Sequence, residues 1–211
     1  MRNEMNQLTK ELKEFFTPKT FLEIGSRDGH DTKEVADYWN LDPKNCFIIE
    51  AHPILFKRIK ETYPQFNTYH LAASNVKGEV EFNAILPQNG ENPVGTSSIL
   101  QALVYNFSHE KVIVECDTMF NFLNSIYMDS PDLVKIDVEG FTYEVLQGFG
   151  DKLQRINAIQ LETEKSEMWK DQKVHDDILK LMEENGFVLH TRYDAWDNQY
   201  DCLFLNQKFL S

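Results

Sequence analysis

Residues 21–32 read FLEIGSRDGHDT and contain the turn on which the fold prediction rests. A short apolar run, Phe21 to Ile24, stops at Gly25, and Gly29 follows four residues later, before an amphipathic stretch. Glycine lets the backbone turn sharply and lets a ligand approach without a Cβ in the way. A strand that ends in such a loop and leads into a helix is typical of ligand-binding α/β sheets.

The alternation of strand and helix continues along the chain. Short apolar runs predict strands at 20–24, 46–50, 67–72, 79–85, 132–137, 157–162, 187–192 and 200–205. Amphipathic stretches predict helices at 30–40, 53–63, 117–127, 139–148 and 174–185. This order predicts an α/β fold with a doubly wound, mostly parallel sheet. The last two strands are joined by the polar loop DAWDNQ without a helix, which predicts an antiparallel C-terminal hairpin.

We expect residues 1–211 to form a single domain, because this length suits one domain with an insertion. An N-terminal amphipathic helix within residues 1–19 is predicted from apolar residues at helical spacing, Met5, Leu8, Leu12 and Phe15. Residues 79–116 interrupt the alternation and are predicted to be an inserted strand with a long loop. Whether the 86–100 part of that loop closes over the site is left open.

Composition restricts the partners and the compartment. The formal net charge is −13, with no basic run, which disfavours a nucleic-acid substrate. The sequence contains no run of about 18 apolar residues, so we predict no membrane span. The N-terminal residues carry charges throughout, unlike a signal peptide, so we expect a cytoplasmic protein. The three cysteines lie far apart without CxxC spacing, which indicates reduced thiols and no zinc site.

The glycine loop indicates which ligand to expect. GSRDGH lacks the glycines of the dinucleotide-binding motif, and no P-loop lysine follows. Glu50 ends the second predicted strand, where an acid can accept hydrogen bonds from both ribose hydroxyls. Glu23 and Asp28 add negative charge around the loop. A ligand with a ribose, a positive centre and no phosphate fits these residues, and S-adenosylmethionine is such a ligand.

Several segments resemble the FkbM family of S-adenosylmethionine-dependent methyltransferases: FLEIGSRDGHDT, FIIEAHP, LAASNVKGEVEF, GTSSIL and PDLVKIDVEGFTYEVLQGF. The resemblance covers residues 20–164, and it implies a Rossmann-like sheet of the class I methyltransferase type. The family usually has a first motif of the Asp-x-Gly-Ala-Asn type. In this chain Glu23 replaces the acid, Ser26 the alanine and Arg27 the asparagine.

The resemblance also implies where the cofactor binds. Its methionine part would lie along Gly25, Ser26 and Gly29, its ribose would be held by Glu50, and the adenosine would be flanked by Ala51 and His52, with Ala72, Ala73 and Ser74 near the adenine. Two simpler interpretations stay open. The two glycines could form a plain strand-to-helix turn, and His52 could cap the helix that begins at Pro53.

Catalytic candidates follow the fourth predicted parallel strand. Methyl transfer from a sulfonium needs alignment, and a hydroxyl acceptor gains from a base that takes its proton. Asp137 is the first candidate, Glu139 the second and His30 the third, although a polar residue at a helix start explains His30 equally well. If the strand persists to Glu139, this residue shares a face with Lys135 and Asp137; otherwise Glu139 starts the next helix. For Lys135 we favour an ion pair over a catalytic role.

The acceptor would enter over the same rim. Ser97 and Ser98 could hydrogen-bond its hydroxyls, and Glu162 points toward the same place. Together with Glu164 and Asp137, Glu162 could also hold a divalent metal, although we do not favour metal dependence. A small-molecule or carbohydrate acceptor is expected.

The sequence predicts an O-methyltransferase that acts on a hydroxyl of a sugar, glycan or other small molecule. A nitrogen or carboxylate acceptor, or an inactive cofactor-binding module, are the alternatives. A NAD dehydrogenase is disfavoured by the missing third glycine. The oligomeric state stays open.

Overall fold

The computed structural model describes residues 9–85, 93–104 and 108–210. In this part of the chain there are ten strands: β1 (Phe21–Ile24), β2 (Cys46–Glu50), β3 (Asn67–His70), β4 (Ala72–Ser74), β5 (Gly78–Ile85), β6 (His109–Thr118), β7 (Leu133–Ile136), β8 (Ala158–Glu164), β9 (Phe187–Trp196) and β10 (Gln199–Asn206). The α-helices are α1 (His30–Trp39), α2 (Pro53–Thr62), α3 (Met119–Ser125), α4 (Thr142–Gly148) and α5 (His175–Glu184).

Seven strands form the central sheet in the order β3-β2-β1-β7-β8-β10-β9 among the described residues. The first five are parallel, and β10 runs antiparallel to both β8 and β9. β1 and β7 lie in the middle, and every residue of both strands is buried, as expected for parallel strands covered on both faces. The predicted α/β fold with its antiparallel C-terminal hairpin is confirmed.

The helices cover both faces of the sheet. One face packs Leu22, Ile24, Val134 and Ile136 against α3, α4 and α5 in the larger core cluster. On the other face, Phe21 and Leu133 pack against α1 and the N-terminal segment, and Ile48 packs against α1 and α2. The carboxyl ends of β1, β2, β7 and β8 therefore meet at one edge between the two helical layers.

The N-terminal prediction is only partly covered by the described residues. Met5 and Leu8 lie outside them. A 3-10 turn spans Glu11–Glu14, and Leu12 is fully buried beside Phe21 and Val35. The N-terminal segment therefore packs on the domain, as the apolar spacing predicted.

A second sheet of order β4-β6-β5 departs from the sequence predictions. The strand predicted at 67–72 splits at Leu71: β3 stays in the central sheet, and β4 turns away to pair with β6. β6 itself falls in the stretch predicted as a loop. Its first three residues, His109 to Lys111, are polar and exposed, and the strand is formed by pairing along the whole length of β5.

Two element boundaries were also predicted wrongly. The last loop is shorter than DAWDNQ, because β9 and β10 extend to leave Asp197 and Asn198 as the turn. Asn198 ties this turn to the neighbouring segment, because its side-chain amide donates to the Ser166 carbonyl (3.0 Å). The helix predicted from residue 139 begins at Thr142, since Glu139 and Gly140 have positive φ angles of 49° and 86°. The described residues include no helix that is long and apolar enough to cross a membrane.

We predict that Gly148→Ala destabilises the protein. Gly148 ends α4 against β4, and an added Cβ would lie 2.1 Å from the Ser74 carbonyl oxygen. Relieving such a backbone clash is expected to lower the free energy of unfolding by about 1–3 kcal/mol, measured by urea denaturation. Glu184→Ala, at an exposed position of α5, is the control. A Gly148→Ala variant as stable as the wild type would contradict this packing.

Candidate active site

A cavity of about 440 Å³ opens at the carboxyl edge of the parallel strands. The predicted site residues that line it are Gly25, Ser26, Asp28, His30, Glu50, Ala51, Ala72, Ala73, Ser97, Asp137, Glu139 and Glu162. Five predicted residues lie outside the lining: Glu23, Gly29, His52, Ser74 and Ser98. Most of the predicted site therefore converges in one place.

Gly25 lets the end of β1 approach the end of β7. Its φ is 80°, and a Cβ there would lie 1.9 Å from the Asp137 carbonyl oxygen. The Gly25 N–H donates to the Ile49 carbonyl (2.9 Å), and the Asp137 N–H donates to the Ile24 carbonyl (2.9 Å). The glycine at this position is therefore required by both the backbone conformation and the close contact.

Glu23 supports the glycine loop from below. Its carboxylate accepts hydrogen bonds from the Ser26 hydroxyl (2.9 Å) and from the Thr32 N–H (3.2 Å) and hydroxyl. The Ser26 hydroxyl in turn accepts from the Gly29 N–H (3.1 Å). Glu23 and Gly29 thus shape the loop from outside the cavity lining. The cofactor contact that the sequence predicts for these two residues stays a prediction.

Glu50 connects the loop to the second strand. One of its oxygens accepts from the Arg27 N–H (2.9 Å), and the other accepts from the His52 N–H (2.7 Å). Burial raises the pKa of Glu50, and these backbone hydrogen bonds oppose the rise. A carboxylate has about four lone-pair positions, so Glu50 retains acceptor capacity on the cavity side.

His52 caps α2, as the simpler interpretation of this residue proposed. Its Nδ1 accepts from the Ile54 N–H (3.2 Å), and its Nε2 lies 3.3 Å from the Ile85 carbonyl oxygen. Burial lowers the pKa of this histidine, which favours the neutral ring that the cap requires. Ser74 is buried as well, and its hydroxyl accepts from the Val76 N–H (3.4 Å).

Lys135 is buried among three carboxylates. Its Nζ lies 3.5 Å from Glu23 Oε1 and 3.4 Å from Asp137 Oδ2, and it also contacts Asp31 at the start of α1. Burial alone would lower the pKa of Lys135, but the three carboxylates outweigh burial and raise it well above its usual value. The ammonium is therefore charged, and the predicted ion pair is present as a four-residue network.

The opposite half of the cavity carries carboxyl groups that hold protons tightly. Burial raises the pKa of Glu139 well above its usual value, and the charges of Asp137 and Glu164 add to this effect. The pKa of Glu162 is also raised well above its usual value, first by burial and then by its acidic neighbours. A carboxyl group that keeps its proton can donate a hydrogen bond as well as accept one.

Glu139 follows neither of the two predicted alternatives. β7 ends at Ile136, and Glu139 sits in a left-handed turn before α4. Its carbonyl oxygen accepts a hydrogen bond from the Ser98 hydroxyl (2.6 Å). Ser98 is therefore used to hold this turn, whereas Ser97 lines the cavity and its hydroxyl accepts from the Ile85 N–H (2.9 Å).

Three carboxylates are close enough to share a cation. One oxygen from each of Asp137, Glu139 and Glu162 lies within 4.8 Å of the others. Glu164, which the sequence analysis grouped with them, instead accepts a hydrogen bond from the Gln172 side chain and is buried. Oxygen ligands of this kind suit Mg²⁺ or Mn²⁺. Metal binding stays an open prediction that the sequence did not favour.

His30 lies at the rim of the cavity. Its side chain is exposed, and its Nε2 is 3.2 Å from Glu34 Oε1 on the next turn of α1. The His30 N–H donates to Asp28 Oδ1 (3.1 Å). These contacts explain His30 and Asp28 as residues of a helix start, which is the alternative that the sequence left open for His30.

The sequence analysis did not single out the residues by which the C-terminal hairpin lines the cavity. Ala195, Gln199 and Asp201 line the cavity beside Glu162. The antiparallel register pairs Asp201 with Glu162, so both side chains lie on the same face of the sheet. The polar residue inside the apolar run YDCLFL was a signal for Asp201, but its partner depends on the register.

We predict that Glu23→Gln reduces the pH dependence of stability. Burial raises the pKa of Glu23 to about 7, and Lys135 only partly offsets this rise. The folded protein therefore binds a proton that the unfolded chain loses above about pH 4.5. Stability from this group is complete below that pH and is lost as the pH rises through about 7.

Urea denaturation at pH 5 and pH 8 measures this effect. The decrease in unfolding free energy between the two pH values should be smaller in Glu23→Gln by roughly 1–3 kcal/mol. Glu81→Gln, which changes an exposed residue paired with Lys111, is the matched control. An unchanged decrease in Glu23→Gln would show that Glu23 is ionised at pH 5.

Comparison with known proteins agrees with this geometry. Residues 23–189 match the model of the methyltransferase FkbM domain. The chain is 25% identical over 162 residues to hexuronic acid methyltransferase AglP from Haloferax volcanii, covering 70% of this chain and 62% of AglP. The chain thus spans less than two thirds of the length of this relative.

Solved structures share the fold. The FkbM methyltransferase from Methylobacillus flagellatus KT superposes with a TM-score of 0.53 at 14% identity, over 90% of this chain and 44% of that one. Magnesium protoporphyrin IX methyltransferase from Synechocystis PCC 6803, solved with bound S-adenosylmethionine, gives 0.53 at 10% identity, over 97% and 77%. The fold is that of class I methyltransferases, and with residues 23–189 matched the chain belongs to the FkbM methyltransferase family.

Proposed function

We propose that this protein transfers the methyl group of S-adenosylmethionine to a hydroxyl group of a sugar, glycan or other small molecule. The observation that carries the proposal is the position of Asp137. Its carboxylate lines the cavity that the glycine loop and Glu50 also line, and Lys135 holds it at 3.4 Å. A candidate base and a candidate cofactor site therefore share one cavity.

The described residues fit the cofactor. Gly25 leaves open the space that a Cβ would fill, and Glu50 offers a carboxylate to the ribose hydroxyls. The small residues Ala51, Ala72 and Ala73 line the adjoining wall, where a flat adenine ring could lie. The acidic walls favour a cationic ligand. S-adenosylmethionine would supply an already activated methyl group, so the protein's task is alignment and proton removal.

Asp137 would act as the base. Its carboxylate would accept the proton of the acceptor hydroxyl, and the Lys135 ammonium, 3.4 Å away, would hold that carboxylate in position. Glu139 and Glu162, whose raised pKa values favour the protonated form, would hydrogen-bond the other acceptor oxygens. These roles require no movement of the parallel strands, because all three side chains already line the cavity.

Polar side chains line the half of the cavity opposite the glycine loop, and they support a polyhydroxyl acceptor. Ser97, Glu162, Gln199 and Asp201 present hydroxyl, carboxyl and amide groups to the cavity. The net charge of −13 disfavours a nucleic-acid acceptor. We also propose a cytoplasmic location, which accords with three free, buried cysteines.

A carboxylate acceptor is the second candidate. It is favoured by the similarity to AglP, because a hexuronic acid carries both hydroxyls and a carboxylate. Mild alkali separates the two products, since it cleaves a methyl ester and leaves a methyl ether intact.

An inactive module or a NAD enzyme is tested by calorimetric titration with S-adenosylmethionine and with NADH. Binding of NADH alone would contradict the proposal.

We predict that Glu50→Ala weakens S-adenosylmethionine binding. Loss of hydrogen bonds from the ribose to a charged group is expected to cost roughly 1.5–3 kcal/mol, or about 10- to 150-fold in Kd. Calorimetric titration measures Kd, and thermal unfolding checks that the variant is folded. Glu61→Ala, on the exposed side of α2, is the control. A folded Glu50→Ala variant with unchanged Kd would exclude Glu50 as the ribose ligand.

We predict that Asp137→Asn lowers kcat by about 10²–10⁴-fold, which is the usual contribution of general base catalysis. The Kd of S-adenosylmethionine should change by less than about threefold, because Asp137 is assigned to the acceptor. Asp129→Asn, an exposed acid paired with Arg155, is the control. Turnover equal to that of the wild type would make Asp137 a structural residue.

A further inference from the structure

Arg27 occupies a backbone conformation that does not favour arginine. Its φ is 61°, in the left-handed region, between Gly25 and Gly29. Asparagine, which the FkbM family usually has at this position, tolerates that region well, whereas a long side chain is disfavoured there. Backbone strain of this kind is concentrated at functional sites. The arginine side chain therefore calls for an explanation of its own.

The structure fixes the direction of this side chain. The Arg27 N–H is bound to Glu50, which anchors the backbone. The side chain then runs against Gly95 of the 3-10 turn Pro93–Thr96, where an added Cβ would lie 2.7 Å from Arg27 Cδ and 2.8 Å from Nε. The guanidinium is thus held at the mouth of the cavity, between the glycine loop and the 93–96 turn.

No partner neutralises this guanidinium among the described residues, since none of them forms a hydrogen bond or an ion pair with it. Its charge acts on Glu139 and lowers the pKa of that carboxyl, but burial keeps that pKa well above the usual value. Arg27 itself is exposed and able to receive a ligand.

The rest of the cavity has no other free positive charge to offer among the described residues. Its lining includes seven acidic residues: Asp28, Asp31, Glu50, Asp137, Glu139, Glu162 and Asp201. Lys135 is already surrounded by three carboxylates, and His30 is paired with Glu34. Among the described residues of the lining, Arg27 is therefore the basic residue best placed to receive the carboxylate of a ligand.

We infer that Arg27 is a carboxylate-binding residue at the mouth of the cavity. Its planar guanidinium can bind both carboxylate oxygens at once, which an ammonium cannot do. The inference rests on the proposed function, because that function supplies two carboxylates. One is the amino-acid carboxylate of S-adenosylmethionine, and the other is that of an acidic sugar acceptor.

The first arm of the test measures the cofactor carboxylate by calorimetric titration. The ligands are S-adenosylhomocysteine and its decarboxylated analogue, which keeps the adenosine, the sulfur and the amine. Arg27→Met retains the apolar stem without the charge, Arg27→Lys retains the charge, and Arg58→Met on the exposed side of α2 is the control. If Arg27 binds this carboxylate, Arg27→Met weakens S-adenosylhomocysteine binding at least tenfold, and Arg27→Lys weakens it by a smaller factor. Binding of the decarboxylated analogue to Arg27→Met changes by less than twofold.

The second arm measures the acceptor carboxylate. Methyl transfer is followed with hexuronic acid glycosides and with the corresponding neutral hexose glycosides. If Arg27 binds the acceptor, Arg27→Met raises KM for the acids at least tenfold, leaves KM for the neutral sugars within twofold, and leaves S-adenosylhomocysteine affinity unchanged. Either pattern supports the inference and identifies the source of the carboxylate.

The inference is overturned if Arg27→Met binds S-adenosylhomocysteine as the wild type does and shows no selective loss with acidic sugars. The same holds if the wild type methylates no acidic sugar and the variant binds S-adenosylhomocysteine normally. Arg27 would then serve only to pack against Gly95. Failure of the proposed function looks different, because the wild type itself would not bind S-adenosylhomocysteine.

Discussion

The arrangement of the site depends on the ion pairs of the buried Lys135 ammonium. It joins Glu23 beneath the glycine loop, Asp31 at the start of α1 and Asp137 at the end of β7. These three groups come from different elements. Glu23 and Asp31 lie more than 100 residues from Lys135 in the chain. Burying four ionisable groups costs solvation free energy, and only a well-placed set of opposite charges compensates it. The network therefore fixes the loop, the helix and the candidate base relative to one another.

The loop depends on this network through a chain of hydrogen bonds. Glu23 accepts from Ser26 and Thr32, and Ser26 accepts from Gly29, so the turn has a defined shape without any ligand. Glu50 then ties the exposed side of the turn to β2 through the Arg27 N–H. A site that is formed in advance loses little conformational entropy when a ligand binds. Such preorganisation suits a reaction in which alignment is the main requirement.

The two parts added to the parallel sheet line the half of the cavity opposite the glycine loop. The hairpin of β9 and β10 brings Gln199 and Asp201 beside Glu162, and the 93–99 segment brings Ser97 over the opposite wall. Burial raises the pKa of several carboxyl groups in and near this half of the cavity, to about 7 for Glu164, and neighbouring acids add to the rise. Glu139 and Glu162, whose pKa values are raised, thus lie beside Asp137, an arrangement that can bind hydroxyl groups.

The sequence by itself determined the parallel core and the part of the cavity that the glycine loop, Glu50 and Asp137 line. Apolar runs, glycines and an acid at a strand end are local signals, and the carboxyl ends of parallel strands must meet at one edge. These local signals were therefore sufficient to place Gly25, Glu50 and Asp137 together. Only the tertiary structure decided what depends on register and packing between distant segments. This group includes the pairing of β6, the turn at Glu139, the structural use of Ser98 and His52, and the position of Asp201 beside Glu162. Their partners lie too far along the chain for a local pattern to specify them.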